Sequence, residues 1–211
     1  MFLFHLRVEK IIYKNKTIFH DFSTTLLWSV MLMALHPDVQ KKCQNELDET
    51  LGEKPPTMDD MNNLNYIMAT INEIMRFSMV AEGSLPHRLT KDMEIDGYKF
   101  KKDTLFISNL AKFLNDPVQF PEPRKFKPER FLGKDGNVQK HDYLVPFGIG
   151  KRICMGESLA KNELFIFFAR VIQRINIGVT NGRRPDAEEY FSGITRIPKP
   201  YDVSVSSRNS D

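Results

Sequence analysis

Residues 115 to 150 carry Pro117, Pro121, Pro123, Pro128 and Pro146 and show neither helical nor strand periodicity. Proline fixes φ and lacks a backbone donor, so no helix interior or central strand can run through this stretch. Segments this long without regular structure are uncommon inside a domain unless they carry function. The stretch runs into Phe147-Gly148-Ile149-Gly150-Lys151-Arg152-Ile153-Cys154-Met155-Gly156-Glu157, and a long helical pattern follows from Gly156 to Arg174. Any fold for this chain must therefore brace an irregular loop and deliver a cysteine to the start of a helix.

The remaining pattern is mostly helical. Leu26, Leu27, Val30, Met31, Ala34 and Leu35 form a broad apolar face at helical spacing. His36-Pro37 ends that helix and opens a more polar one over Val39 to Leu51, closed by Gly52. Thr57 with Asp59 and Asp60 reads as the start of a short helix. Leu64, Ile67, Met68, Ile71, Ile74 and Met75 give a buried helical stripe. Residues 93 to 107 read as a hairpin around Asp96-Gly97, and residues 176 to 208 as short strands with turns. The run from Arg7 to Lys16 has no clear period and reads as a short strand or an unstructured arm.

Composition closes off several function classes. Thirty basic residues against 27 acidic ones leave a net charge of +3, too small an excess to argue for nucleic acid. Two cysteines, Cys43 and Cys154, are too few for a disulfide framework and have no zinc-finger spacing. No segment reaches the ~20 apolar residues needed to span a bilayer, and residues 1 to 7 have the wrong charge order for a signal peptide. The 16 Phe and 10 Met suit either a core or an apolar ligand pocket.

Chemistry concentrates at Cys154. Two glycines allow a tight turn and a close backbone approach. A helix start stabilises a thiolate through its macrodipole and free N–H groups, Arg152 adds a cation, and Phe147 adds an apolar shield. Such a thiolate suits a metal ligand or a nucleophile, and a plain buried cysteine is the third reading. A nucleophile needs a histidine base, and His141 is the nearest in sequence. Cys43, on the polar helix, reads as a half-buried thiol without a chemical role.

The segment resembles the haem-binding signature of the cytochrome P-450 family, Phe-x-x-Gly-x-Arg-x-Cys-x-Gly. Phe147, Gly150, Arg152, Cys154 and Gly156 match every fixed position. The resemblance implies heme b with Cys154 as axial thiolate to the iron, and Arg152 on a haem propionate. Glu73-Ile74-Met75-Arg76 is similar to the family's Glu-x-x-Arg; at i and i+3 the two charges share a helix face, which alone would be an ordinary surface ion pair. Phe126 to Phe131 resembles the family's Pro-Glu-Arg-Phe segment, which implies a buried structural triad of Glu73, Arg76 and Arg130. Pro86-His87-Arg88 is similar to a segment of microsomal-type members and implies His87 on a propionate. Ser192-Gly193-Ile194 matches the position of a substrate-contacting turn.

The fold implied is mainly α with small β-sheets, the C-terminal part of the cytochrome P-450 fold in truncated form. Residues 22–211 are expected to be that portion, with residues 1–21 an atypical N-terminal segment outside the family pattern. The family's oxygen-activating motif should fall on residues 17 to 21, but His20 stands at the acid position and Asp21 at the threonine position. No catalytic residue is therefore assigned. The resemblance implies a haem-thiolate monooxygenase acting on an apolar small molecule, with electrons from an NADPH-dependent reductase. Lys140, Lys151, Arg152 and Lys161 are candidates for a basic face toward that reductase. It also implies the endoplasmic reticulum membrane, although no anchor is visible in the sequence. The alternative is a haem-binding fragment that lacks oxygen activation.

Overall fold

The computed structural model describes residues 4–7, 20–180 and 184–208, with side chains from Phe22 onward. Most of the Arg7 to Lys16 run, and residues 17 to 19 of the oxygen-activation position, lie outside the described residues, as do the His20 and Asp21 side chains. Phe4–Arg7 forms strand β1. Helix α1 (His20–Leu35) follows, with Trp28, Met31, Leu32, Met33 and Ala34 buried, the pattern of a helix enclosed on most sides. Pro37 takes the first turn of α2 (Pro37–Thr50), where a missing N–H costs nothing. Helix α2 buries a single stripe that includes Val39, Cys43 and Leu47, and it ends at Gly52 with φ +59°. The Gly52 N–H reaches the Leu47 and Asp48 carbonyls at 3.2 and 3.1 Å.

The Thr57 expectation resolves as a 3-10 turn, Met58–Asn62, whose opening is fixed by the Thr57 N–H and hydroxyl donating to Asp60 Oδ2 at 2.8 and 2.7 Å. Helix α3 (Asn65–Ser78) has no local side-chain cap. Glu46 of α2 supplies one, accepting from the Tyr66 and Ile67 N–H groups at 2.7 and 2.8 Å. Ile67, Ile71 and Ile74 of α3 enter the main core. Strands β2 (His87–Arg88), β3 (Met93–Ile95), β4 (Tyr98–Phe100) and β5 (Leu105–Phe106) follow. The hairpin is narrower than the sequence suggested. β3 and β4 pair around Asp96-Gly97, both with positive φ, but β5 pairs with β2 instead of extending that hairpin.

After the short α4 (Leu110–Leu114) the chain is irregular up to α5 (Glu157–Arg174), apart from 3-10 turns at Pro128–Phe131 and Gly150–Arg152. The end of the chain supplies β6 (Ile175–Val179), β7 (Tyr190–Phe191), β8 (Ile197–Pro198) and β9 (Asp202–Ser207). β9 lies between β1 and β6 in an antiparallel three-stranded sheet. One core joins α1, α2, α3, α5 and this sheet through Leu32, Leu47, Ile67, Phe165, Phe168, Ile172 and Val203, each no more than 2 % exposed. Each such side chain contributes about 1.5–3 kcal/mol of burial free energy. A second cluster of Ala69, Phe120 and Phe131 sits under the proline-rich loop. The fold is mainly α with small sheets.

Candidate functional site

The loop that carries Cys154 is held by its own backbone. The Gly148 N–H bonds Val145 O at 3.0 Å, the Ile153 N–H bonds Gly150 O at 3.1 Å, and the Cys154 N–H bonds Phe147 O at 3.0 Å. Gly148 and Gly150 have φ of +80° and +75°, a region that costs glycine nothing, and a Cβ at either would meet open space. Gly156 is the N-cap of α5, and a Cβ there would lie 3.8 Å from Cys154 Sγ. Phe147 is half-buried and packs on the main core, with Lys161 Nζ 5.7 Å from its ring centre. The Cys154 thiol is exposed, which removes the buried-thiol reading. Around it in sequence, Ile149, Ile153, Met155 and Leu159 are exposed as well, Met155 completely. Soluble surfaces seldom leave apolar side chains crowded like this without a partner.

Glu73, Arg76 and Arg130 come together. Arg76 grips Glu73 with two donors, Nε to Oε2 at 2.7 Å and Nη2 to Oε1 at 2.9 Å. Arg130 Nε adds a third at 3.1 Å and the Lys127 N–H a fourth at 2.9 Å, both to Oε1. The Glu73 and Arg76 side chains are 0 % exposed, so the ion pair is not the surface pair that i, i+3 spacing alone would suggest. The guanidiniums also hold the irregular loop. Arg76 donates to the Leu114 and Pro123 carbonyls at 2.8 and 2.9 Å, and Arg130 to those of Pro121 and Lys125 at 2.9 and 3.1 Å. A buried pair offsets its desolvation only when its remaining donors and acceptors are satisfied, and here main-chain groups do that.

The other candidates stand apart from this pair of features. His87 is half-buried in β2, opposite Phe106 of β5. Arg152 is exposed and makes no ion pair among the described residues. Of the remaining basic candidates, Lys161 pairs with Glu157 at 2.6 Å and Lys140 with Asp142 at 3.3 Å. His141 stacks on Phe120, with ring centres 4.4 Å apart, and its Nδ1 accepts the Tyr143 N–H, so it does not serve as a base for Cys154. Cys43 is not half-buried as the polar helix suggested. It is 0 % exposed against Thr70, 3.3 Å away, and burial pushes its thiol up to about 12. The Thr70 hydroxyl gives its hydrogen to Tyr66 O, so the thiol is the donor in that contact.

Sequence reasoning missed Arg196. Its guanidinium lies 3.7 Å from the Tyr190 ring centre and 5.3 Å from that of Trp28. No local pattern announces such a stack, since Trp28 lies far in sequence from the hairpin that carries Tyr190 and Arg196. Among the described residues no group of three or more His, Cys, Asp or Glu could hold a metal ion, and no helix is long and apolar enough to cross a membrane.

Comparison with known proteins gives a consistent picture. The family model described as Cytochrome P450 matches residues 20–205. Cytochrome P450 2B2 of Rattus norvegicus is 42 % identical over 190 residues, which is 88 % of this chain and 38 % of that protein. Cytochrome P450 2D15 of Canis lupus familiaris is 38 % identical over 188 residues, 88 % of this chain and 37 % of that protein. Cytochrome P450 2D14 of Bos taurus is 36 % identical over 187 residues with the same coverage. The chain thus spans about two fifths of the length of the curated relatives it matches.

Proposed function

Because the chain belongs to the cytochrome P450 family, we propose that it is the haem-ligating portion of a haem-thiolate monooxygenase, with Cys154 as the axial ligand to iron. The observation that carries this reading is the exposed Cys154 thiol on a backbone-locked loop, flanked by exposed Ile149, Ile153, Met155 and Leu159. The donor chemistry fits haem. The described residues offer no cluster that could hold a metal by itself, so an iron on Cys154 would take its other ligands from a macrocycle. A flat apolar macrocycle would in turn cover those apolar side chains.

Each residue then has a definable task. Cys154 would hold the metal through its sulfur. Gly148 and Gly150 let the loop turn at positive φ, a backbone region that other residues enter only with strain. Phe147 keeps water from one side of the loop. Arg152 and His87 would pair with propionates. Glu73, Arg76 and Arg130 take no part in chemistry; they hold the loop's shape. Bound haem would supply O₂ activation, and a thiolate ligand favours O–O cleavage by pushing electron density to the iron.

The substrate on this reading is an apolar small molecule, and the electrons come from an NADPH-dependent reductase facing Lys140, Lys151, Arg152 and Lys161. The family resemblance also supports association with the endoplasmic reticulum membrane. Residues 22–211 would form the family portion and residues 1–21 a segment outside it. A second reading, haem binding without oxygen activation, is favoured by the residue types His20 and Asp21 where the family places an acid and a threonine. Expression with haem, followed by the spectrum of the reduced carbon monoxide complex, tests both. A thiolate-type Soret band that Cys154→Ala abolishes is expected. Haem uptake identical in Cys154→Ala would overturn the assignment, and a Soret band without turnover of any lipophilic substrate would select the second reading.

A further inference from the structure

Strands β7 and β8 form a hairpin whose tip, Ser192 to Thr195, projects Ile194 into solvent at 86 % exposure. Both legs of that tip are tied down. On one side the Ser192 hydroxyl donates to Glu82 Oε2 at 2.9 Å. On the other, the Arg196 N–H bonds Val80 O at 2.8 Å, and Trp28 Nε1 donates to Arg196 O at 3.0 Å. The Arg196 side chain is the unusual part. The residue is only 5 % exposed, yet its Nε has no hydrogen-bond partner among the described residues. Glu82 and Glu188 attract it electrostatically without forming an ion pair. Its charge rests instead on two ring faces, Tyr190 at 3.7 Å and Trp28 at 5.3 Å, themselves 6.5 Å apart. A planar, weakly hydrated guanidinium suits that role, and an ammonium does not.

We infer that Arg196 is a positioning residue that fixes where the Ser192–Thr195 tip points, by locking the hairpin to α1 through its stack with Trp28 and Tyr190. The stack ties the hairpin to α1 through Trp28, while the Arg196 N–H and the Ser192 hydroxyl tie it separately to Val80 and Glu82 in the segment after α3. The tip has no regular hydrogen bonds of its own, so its direction depends on these ties. Under the function proposed above the tip faces substrate, and Arg196 would then set which apolar molecules fit instead of how tightly any of them binds. That last step rests on the proposed function; the lock itself does not.

Arg196→Met keeps the length of the side chain and removes charge and plane, while Arg196→Lys keeps the charge alone. Tyr190→Leu attacks the same stack from its other side. Hydrogen exchange over residues 192–195 is expected to speed up at least tenfold in Arg196→Met and Tyr190→Leu, and partly in Arg196→Lys, with the amides of α3 and α5 unchanged. Trp28 is the single tryptophan, so its emission should move to the red in the same variants. Exchange that stays unchanged at the tip, or rises equally throughout the molecule, would overturn the lock. Quenching of Trp28 by naphthalene and by dodecanol then reads selectivity. A change of fivefold or more in the ratio of the two affinities supports positioning, and an equal loss for both refutes it. If neither probe binds the parent chain, the functional reading fails and the exchange result still decides the lock.

Discussion

Arg76 Nε and Glu73 Oε2 lie 2.7 Å apart with both side chains completely removed from water, and every polar contact beyond that pair goes to the chain that leads toward Cys154. Because the carboxylate also receives Arg130 and the Lys127 N–H, removing either arginine leaves a buried charge only partly answered.

Arg76→Met should destabilise the protein by about 3–5 kcal/mol, since it strands a buried carboxylate. Arg130→Met should cost less, because Arg76 still grips Glu73 with two donors. Urea unfolding followed by circular dichroism would rank the two; equal costs would argue against a bidentate pair as the centre of the network.

Glu46→Ala removes the only side-chain cap of α3 found among the described residues, leaving the Tyr66 and Ile67 N–H groups without an acceptor. A loss of about 1–2 kcal/mol is expected, as for other N-terminal caps. Thermal melting is sufficient to read it, and Glu46→Gln should recover part of the loss because its amide oxygen still accepts.

The two thiols should differ sharply in reactivity. Iodoacetamide at neutral pH should label Cys154 and leave Cys43 untouched until the protein unfolds. Burial raises the folded Cys43 thiol from 9.0 to about 12, so the folded state holds that proton more tightly than the unfolded chain. Its contribution is complete below about pH 9 and is lost as pH climbs from there toward 12. Stability should fall across that window, less steeply in Cys43→Ala. Part of the slope should persist, because burial also raises the Tyr66 and Tyr201 hydroxyls.

Gly150→Ala places a Cβ in open space but forces a φ of +75° on alanine. The expected cost is about 1 kcal/mol or somewhat more. Steric clash cannot explain it, so Gly150→Asn, which tolerates this backbone region better, should cost less. Chemical denaturation of the three forms tests that order.

Much of this arrangement is readable in the residues themselves. The α3 stripe follows apolar spacing, and Pro37 and Gly52 mark the limits of α2, but the α1 face does not: Leu26, Leu27, Val30 and Leu35 are only partly buried, while Trp28, Leu32 and Met33 are fully buried in a helix enclosed on most sides. The Cys154 loop is legible because its glycines, arginine and cysteine are contiguous. The extent of the triad's burial is not, since i, i+3 spacing is the same on a wet helix and a dry one; the Phe120 and Phe131 cluster beneath the loop decides it. The cap from Glu46 and the packing of Arg196 on Trp28 escaped for a shared reason: the partners are far apart in the chain and leave no local period. Cys43 was misjudged because the polar residues around it on α2 include Gln40 and Gln44, which are themselves buried and bonded to β6, so a polar helix here still has a dry face.

The position of β9 has a consequence for how the protein is made. As the middle strand of its sheet, with Val203 fully buried, it must be present before β1 and β6 have anything to pair with. A ribosome delivers residues 202–207 only after it has delivered α1 to α5. The helices can gather as they emerge, but the sheet stays open until residues 202–207 have cleared the exit tunnel. A nascent chain arrested upstream of Tyr201 would therefore leave β1 and β6 unpaired, however well its helices had packed.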